Sequence, residues 1–327
     1  MKTSAYKKAS GFTLIELMVA MAITTILVVI IVTLTTRGIE IWKNITQEIS
    51  TSSKAQIALQ TMCDDLQCLQ IRRGNDYEWF YAANDEKVLG TDGGPQGLRI
   101  TNSAQLIFFT SSIDRNKAVE SEQKNTKADL YKAQGDINAV GYRLMYRDQI
   151  LNIDGNAGKG FATYSLYRQI VSPKQTYQNL LAQTDLKRAY NRYEENDKKH
   201  FLVENIIEMT LVLEVEYTTV NGTGSKKQLR REIKSIPIIS TSSGGEAYKS
   251  VEVFGDRLAV SKTGGKADSD MEQGRILAAS ITMTVVSDEG MNIVQNARKN
   301  GRTPNQADFF RKYTNSYSQS VMLPTPQ

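Results

Sequence analysis

The chain contains few of the residues from which disulfide frameworks and transition-metal sites are built. Its 327 residues include two cysteines and one histidine. A disulfide-stabilised scaffold and a zinc-type site of His and Cys ligands are therefore both poorly supported. We expect neither a bound metal nor another cofactor.

The chain also lacks a strong excess of charge of one sign. It has 40 Lys and Arg residues against 35 Asp and Glu residues, for a formal net charge of +5. Three of the positive charges, Lys2, Lys7 and Lys8, lie in the first eleven residues, which contain no acid, so the rest of the chain is left with +2. A nearly neutral protein gives no electrostatic reason to expect a nucleic-acid partner.

One long apolar run is present, and the sequence has no second one. From Phe12 to Thr36 it reads FTLIELMVAMAITTILVVIIVTLTT. About 20 apolar residues are enough for a helix to cross the hydrocarbon layer of a membrane. The run is too long for the apolar core of a secretory signal peptide, and no small-x-small cleavage site follows it. The small residue, Gly11, comes first, so a cut there would remove the lysines and keep the helix.

Glu16 is the only ionisable residue of this run. A carboxyl group inside an apolar helix is costly and indicates a functional role. Cleavage after Gly11 would create an α-amino group on Phe12, four residues before Glu16. This spacing places the two groups one helical turn apart or, in a filament, on neighbouring subunits. The alternative interpretation is a carboxyl group that simply lies near the lipid headgroups.

The segment KKASGFTLIEL, from Lys7 to Leu17, resembles the N-terminal processing and methylation motif of type IV prepilins and type II secretion pseudopilins. The resemblance implies that a prepilin peptidase cuts between Gly11 and Phe12, that the new amine of Phe12 is methylated, and that Glu16 acts in subunit docking. It also implies other pilins or pseudopilins, an inner-membrane assembly platform and membrane lipid as partners.

The leader lysines also predict an orientation. Because positive charges flanking a membrane span stay on the cytoplasmic side, the leader is expected in the cytoplasm. Everything after about Arg37 is then exported. We expect a single-pass protein of the inner membrane with a periplasmic C-terminal domain.

Beyond the apolar run, the sequence predicts that the helix continues. Apolar residues recur at spacings of mostly three and four: Ile45, Ile49, Leu59, Met62, Leu66 and Leu69. The pattern predicts one helix from about Thr13 to about Ile71, roughly 90 Å long, whose second half packs on a domain. Cys63 and Cys68 lie on different faces of this helix, too far apart for an unstrained disulfide.

The rest of the chain is predicted to be mainly β. Seven segments have alternating or β-branched character: Leu98–Ile100, Gln105–Thr110, Ala139–Arg147, Tyr164–Ile170, Glu208–Thr218, Leu229–Ile233 and Ala278–Val286. The predicted fold class is α+β, with a long N-terminal helix, first transmembrane and then amphipathic, packed on antiparallel β-sheets in a pilin-like arrangement.

We divide the chain into four parts on this basis. They are a leader (1–11), a transmembrane and assembly helix (12–36), the exported half of the long helix (37–72) and a β-rich globular domain (73–327).

Parts of the globular domain carry a second resemblance. The segments LQTMCDDLQCL, QLIFFT, GDINAVGYRLMYRDQIL and YSLYRQIV, followed by FLVENIIEMTLVLEVEY and RILAASITMTVV, are similar in order to J-type minor pseudopilins. The chain is longer than a typical J-type subunit. We interpret Tyr177–Lys199 and Ser240–Gly274 as insertions and the residues after Gly290 as a tail. The first insertion has helical periodicity and predicts an extra surface helix.

Motifs that suggest catalysis or metal binding are weak, and we do not expect an enzyme. Ser121 and Lys124, with Lys262-Thr-Gly, match parts of penicillin-recognising motifs, but the Ser-Asp-Asn element is missing. The segment Asp268-Ser-Asp-Met-Glu272 lacks the central glycine and the final acid of a calcium loop. His200 follows charged residues and is expected on the surface, without an identifiable nucleophile.

Two classes of function fit these features. The first is a minor pseudopilin or pilin that acts by subunit assembly in protein secretion or pilus biogenesis. The second is a membrane-anchored, exported binding protein that uses prepilin processing. Neither the machine nor a cargo is indicated by the sequence.

Overall fold

The computed structural model describes residues 13–85, 88, 102–111, 136–151, 153–154, 162–193, 198–221, 228–240, 247–255, 257–262, 271–300 and 305–324. Two compact units make up the chain, Met1–Ile49 and Ser50–Gln327. The predicted strand Leu98–Ile100, the pair Ser121 and Lys124, and residues 268–270 of the calcium-like segment lie outside the described residues.

The first helix, α1, runs from Leu14 to Gln67 and confirms the predicted long helix. It ends four residues before the predicted Ile71 because the backbone changes its hydrogen-bond partners there. The amide of Gln70 donates to the carbonyl of Phe109 at 2.8 Å, and the amide of Ser111 donates to the carbonyl of Cys68 at 3.0 Å. The chain after Gln67 therefore pairs with a strand instead of continuing the helix.

In the described part of the chain, one sheet contains twelve strands. They are β1 (Glu78–Asp85), β2 (Ser103–Thr110), β3 (Asn138–Asp148), β4 (Ile153–Asp154), β5 (Ala162–Val171), β6 (Phe201–Glu204), β7 (Ile206–Asn221), β8 (Gln228–Ile238), β9 (Tyr248–Phe254), β10 (Leu258–Lys262), β11 (Arg275–Val286) and β12 (Thr314–Met322).

The strand order is β12-β11-β7-β8-β9-β1-β2-β3-β5-β6, with β10 added to β9 and β4 added to β3. The ladders between neighbours are antiparallel apart from single parallel pairs, Ser103 with Met209 and Ile238 with Tyr248. The first of these also joins β2 to β7, which are not neighbours in the strand order. The α+β prediction is confirmed, although one continuous sheet replaces the predicted separate sheets.

Six of the seven predicted strands are found, as β2, β3, β5, β7, β8 and β11. The segment Ser240–Gly274 was interpreted as an insertion, and its described residues include β9 and β10. Since β9 lies between β8 and β1, these residues complete the middle of the sheet. The residues after Gly290, interpreted as a tail, contribute to β12 and to two helices, α4 (Asp288–Asn300) and α5 (Gln306–Tyr313).

The segment Tyr177–Lys199 does not form the predicted surface helix. It contributes to two short helices, α2 (Pro173–Asn179) and α3 (Leu186–Tyr190), followed by 3₁₀ turns. Leu180 and Leu186 are completely buried, and Tyr190 is 1% exposed. The hydroxyl of Tyr190 donates to the carbonyl of Gln169 at 2.8 Å. A Cβ atom on Gly141 of β3 would lie 2.6 Å from this hydroxyl oxygen, so only glycine leaves room for the ring.

The core forms between the sheet and the part of α1 that belongs to the second unit. Ala58, Met62 and Leu66 of the helix are completely buried, and Met62 and Leu66 belong to the predicted stripe. Ile45 and Ile49, which belong to the same predicted stripe, are 50% and 64% exposed and do not join this core. In the sheet, the rings of Phe80, Phe108 and Tyr142 stack across three neighbouring strands with centroid distances of 6.3 and 6.2 Å.

A buried ion pair fixes the helix on this sheet. Asp65 of α1 is 1% exposed, and Arg168 of β5 donates to both of its carboxylate oxygens at 2.8 and 2.7 Å. The hydroxyl of Tyr142 donates to the same carboxylate at 2.5 Å, and that of Thr110 donates to the backbone carbonyl of Asp65 at 2.8 Å. Burial and then the negative charge of Asp65 raise the pKa of Tyr142, so its hydroxyl stays protonated and remains a donor.

We expect Asp65→Ala to lower the free energy of unfolding by about 3–5 kcal/mol, because Arg168 would stay buried without its partner. The matched control is Asp64→Ala, which removes an exposed acid from the neighbouring position and should change stability by less than about 0.5 kcal/mol. Chemical denaturation of the full chain in detergent measures both. Equal losses in the two variants would show that the ion pair does not anchor the helix.

Candidate functional site

The N-terminal end of α1 holds the one predicted site residue that the structure describes. Lys2, Lys7, Lys8, Gly11 and Phe12 lie outside the described residues, and no geometry is given to them.

The carboxylate of Glu16 is turned towards the start of the helix. Its Oε2 atom accepts hydrogen bonds from the backbone amide and from the hydroxyl of Thr13, both at 2.9 Å. The amide of Glu16 donates back to the Thr13 hydroxyl oxygen at 3.4 Å. This reciprocal arrangement is a capping box, which satisfies amides that no helical carbonyl can reach. It directs the negative charge towards Thr13 at the start of the helix.

The surface of α1 from Leu14 to Leu34 is apolar on every side. The large apolar side chains here are about half to three quarters exposed, and the most apolar 18-residue window has a mean hydropathy of 2.9 with none of it buried. Its threonine hydroxyls donate to carbonyls one turn earlier, for example Thr24 to Ala20 at 2.7 Å and Thr33 to Val29 at 2.8 Å. The polar groups of these threonines are thus satisfied within the helix, and the apolar surface is available to lipid or to other helices.

Residues 6–32 match the family model of the prokaryotic N-terminal methylation motif. The motif indicates a prepilin-like protein that is processed by a prepilin peptidase and assembles with other pilins in a pilus or secretion system. Pilin-like proteins with this motif are structural rather than catalytic, and the single apolar helix is consistent with membrane anchoring. No curated protein and no solved structure matches the chain. The match ends at residue 32, so the J-type subtype stays a prediction.

Glu78, at the start of β1 in the second unit, carries a carboxyl group whose pKa is strongly raised. It is 2% exposed, and its Oε2 atom accepts a hydrogen bond from the amide of Leu186 at 2.6 Å. Burial raises the pKa of Glu78 to about 8; this hydrogen bond lowers it, and the charges of Glu252 and Asp185 raise it. A carboxyl group buried beneath α3 has no open path to a substrate, so we interpret it as a core group that affects stability.

A second polar cluster lies on the helix side of the unit. Lys54 of α1 contacts Asp288 at 2.8 Å and Glu204 at 3.1 Å. Partial burial lowers the pKa of Lys54, but the hydrogen bonds and charges of these two carboxylates outweigh it and hold the pKa above its usual value. The lysine therefore remains charged and links α1 to β6 and α4.

The remaining candidates are placed as follows. Cys63 and Cys68 are free thiols, and burial followed by the charge of Asp64 raises the pKa of Cys63 to about 11. His200, which was expected on the surface, is half-buried. Among the described residues, no group of three or more His, Cys, Asp and Glu side chains is arranged to hold a metal ion.

Glu16 was singled out from the sequence, whereas Asp65, Arg168 and Glu78 were not. An acid at position 65 lies between the buried Met62 and Leu66 in the helical stripe, which is a usable signal for a buried partner. The basic partner is 103 residues away, and no local pattern identifies it.

The raised pKa of Glu78 predicts a pH dependence of stability. The folded state keeps a proton up to about pH 8, whereas the unfolded chain loses it near 4.5, so stability should fall as the pH rises through this window. Glu78→Gln imitates the protonated form and should be more stable than the unchanged protein at pH 9, with a smaller difference at pH 5. Thermal unfolding at several pH values measures this, with the exposed Glu272→Gln as control. If the stability of Glu78→Gln changed with pH in the same way as that of the unchanged protein, the raised pKa of Glu78 would be contradicted.

Proposed function

We propose that this protein is a minor pilin or pseudopilin subunit of a type II secretion or type IV pilus-like filament. It acts by subunit assembly in protein secretion or pilus biogenesis. It spans the inner membrane once, with the leader in the cytoplasm and the β-rich domain in the periplasm. Its partners are a prepilin peptidase, other pilin-like subunits, the assembly platform and membrane lipid.

The proposal rests above all on the methylation motif coinciding with a helix that is apolar on every side and has one internal acid. A plain membrane anchor has no need of a carboxyl group in its apolar segment, and such a group is costly unless it has a partner. The capping box turns that carboxylate towards Thr13, the residue that follows in sequence the one on which cleavage after Gly11 creates a new amine. Glu16 can then neutralise the Phe12 amine of its own chain or of a neighbouring subunit.

Processing is the first test. The mature protein should begin at Phe12 and carry one added methyl group, because the peptidase cuts after Gly11 and the new amine is then methylated. Mass spectrometry of the protein purified from membranes measures this. Gly11→Leu is the control and should leave the leader attached. A mature protein that still begins at Met1, or that is cut after residue 36, would exclude the proposal.

The second test isolates Glu16. Glu16→Ala removes the only acid of the apolar run and should improve membrane insertion, so the protein should stay abundant and membrane-bound. Assembly should fail, because the Phe12 amine would lose its partner at a poorly solvated contact, at a cost of about 3–5 kcal/mol. Co-purification of the tagged variant with the other filament subunits measures incorporation.

The matched control for this test is Glu40→Ala, which removes an exposed acid of the same helix beyond the apolar run. This variant should be incorporated normally. If Glu16→Ala is incorporated as well as Glu40→Ala, the docking role of Glu16 is wrong, and the membrane-anchored binding protein becomes the better description.

A further inference from the structure

A cleft of about 430 Å³ opens in the second unit. Its lining is strongly positive. It includes five arginines, one acid and, among the described residues, no lysine: Arg72, Arg73, Arg231, Arg257, Arg275 and Glu216. Such a concentration is unexpected in a chain whose net charge is only +5.

Two walls bring these arginines together. Neighbouring strands β7, β8 and β11 form the first wall, in which Arg275 is in register with Glu216, and Thr218 with Arg231. The second wall consists of the segment that follows α1, the start of β1 and the turn from β9 to β10. A Cβ atom on Gly255 of this turn would lie 2.2 Å from the carbonyl of Asn75, so the two segments of the second wall are in close contact.

Of the five guanidinium groups, only that of Arg275 forms an ion pair with another described residue. Arg275 pairs with Glu216 at 2.6 Å. Arg72 donates to the carbonyl of Leu181 and lies over a tyrosine ring, and Arg257 stacks on the ring of Phe254 at 4.1 Å. In the part of the chain that the structure describes, no ion pair involves Arg72, Arg73, Arg231 or Arg257.

Among the described residues, Arg72, Arg73 and Arg231 form no ion pair, whereas the charge of Arg257 also interacts with Glu252. The like charges around the cleft repel one another, and an anion that enters relieves this repulsion. The presence of arginine instead of lysine indicates which kinds of anion fit the cleft. Arginine presents a planar fork that binds carboxylate or phosphate through two parallel hydrogen bonds, which lysine cannot do. Arg73 and Arg231 are exposed, so their forks are free to turn towards a ligand.

The floor of the cleft distinguishes between kinds of anion. Trp79 and Phe254 contribute apolar surface, and their positions are fixed by a hydrogen bond from the Trp79 indole to the carbonyl of Phe254 at 2.9 Å. Ile71, Val253 and Ile276 extend this surface. A free phosphate ion has no apolar group that could pack against this apolar surface. A peptide that alternates acidic and apolar side chains matches both features of the lining.

We infer that this cleft binds an acidic segment of a partner protein through Arg73 and Arg231, with an apolar side chain of the segment on Trp79. The site uses no residue of the processing motif or of the apolar helix. The binding role of the cleft therefore goes beyond the proposed assembly role, and each of the two roles can be refuted without refuting the other.

The test is direct binding to the full chain in a neutral detergent. The probe is a fluorescein-labelled peptide Asp-Glu-Leu-Asp-Glu, and the neutral peptide Asn-Gln-Leu-Asn-Gln is its counterpart. Fluorescence anisotropy should show binding of the acidic peptide only, with an affinity that falls as salt is added. Combining Arg73→Gln with Arg231→Gln should weaken binding about tenfold or more, because charge-assisted contacts from both walls are lost.

The matched control is Arg230→Gln. Arg230 precedes Arg231 on β8, so its side chain points to the opposite face, where it lies 3.8 Å from Glu232. This control should bind the acidic peptide like the unchanged protein, and all variants should have the same melting temperature. Absence of binding, or equal weakening by Arg230→Gln, would overturn the inference. Displacement of the peptide by inorganic phosphate at equal concentration would instead assign a small-anion site and also overturn it.

Discussion

The packing of the second unit depends on one buried ion pair. Asp65 is acidic at a position of α1 that faces the core, and its charge is tolerated because Arg168 and the hydroxyl of Tyr142 surround it with donors. Apolar contacts between a helix and a sheet allow many orientations of similar energy, whereas a two-pronged ion pair allows few. The register of α1 on β3 and β5, and with it the position of the aromatic stack beneath, follows from this contact.

The parts of the fold that were predicted correctly are those whose signal is local. Six strands are rich in β-branched residues or alternate in polarity, and the apolar residues of the helix recur at spacings of three and four. β1 and β12 were missed because EWFYAAND and TNSYSQSVM contain many strand-poor residues. β12 is stabilised by its neighbour, through hydroxyl pairs such as Ser280 with Ser320 at 2.7 Å. Such a strand exists because of a partner that lies far away in sequence.

The same limit applies to functional residues. Glu16 is conspicuous because it is alone in an apolar run, so the sequence is enough to find it. The arginine cleft is assembled from segments that are distant along the chain, and none of its arginines stands out in its own segment. The core role of Leu186 and Tyr190 was also hidden, because the charged residues around them are typical of a solvated surface. Burial in this chain depends on which distant segments approach each other.

The ion pairs that Lys54 and Asp65 of α1 form within the second unit also affect how this unit responds to mechanical force. A pull along the helix axis shears the helix against the sheet, and apolar side chains resist sliding only weakly. Lys54, tied to β6 and α4, and Asp65, tied to β5, lie eleven residues apart, which is about three helical turns. Tension therefore enters the fold at two separated points, and a pull on this part of the helix is shared by β5, β6 and α4 instead of being concentrated on one strand.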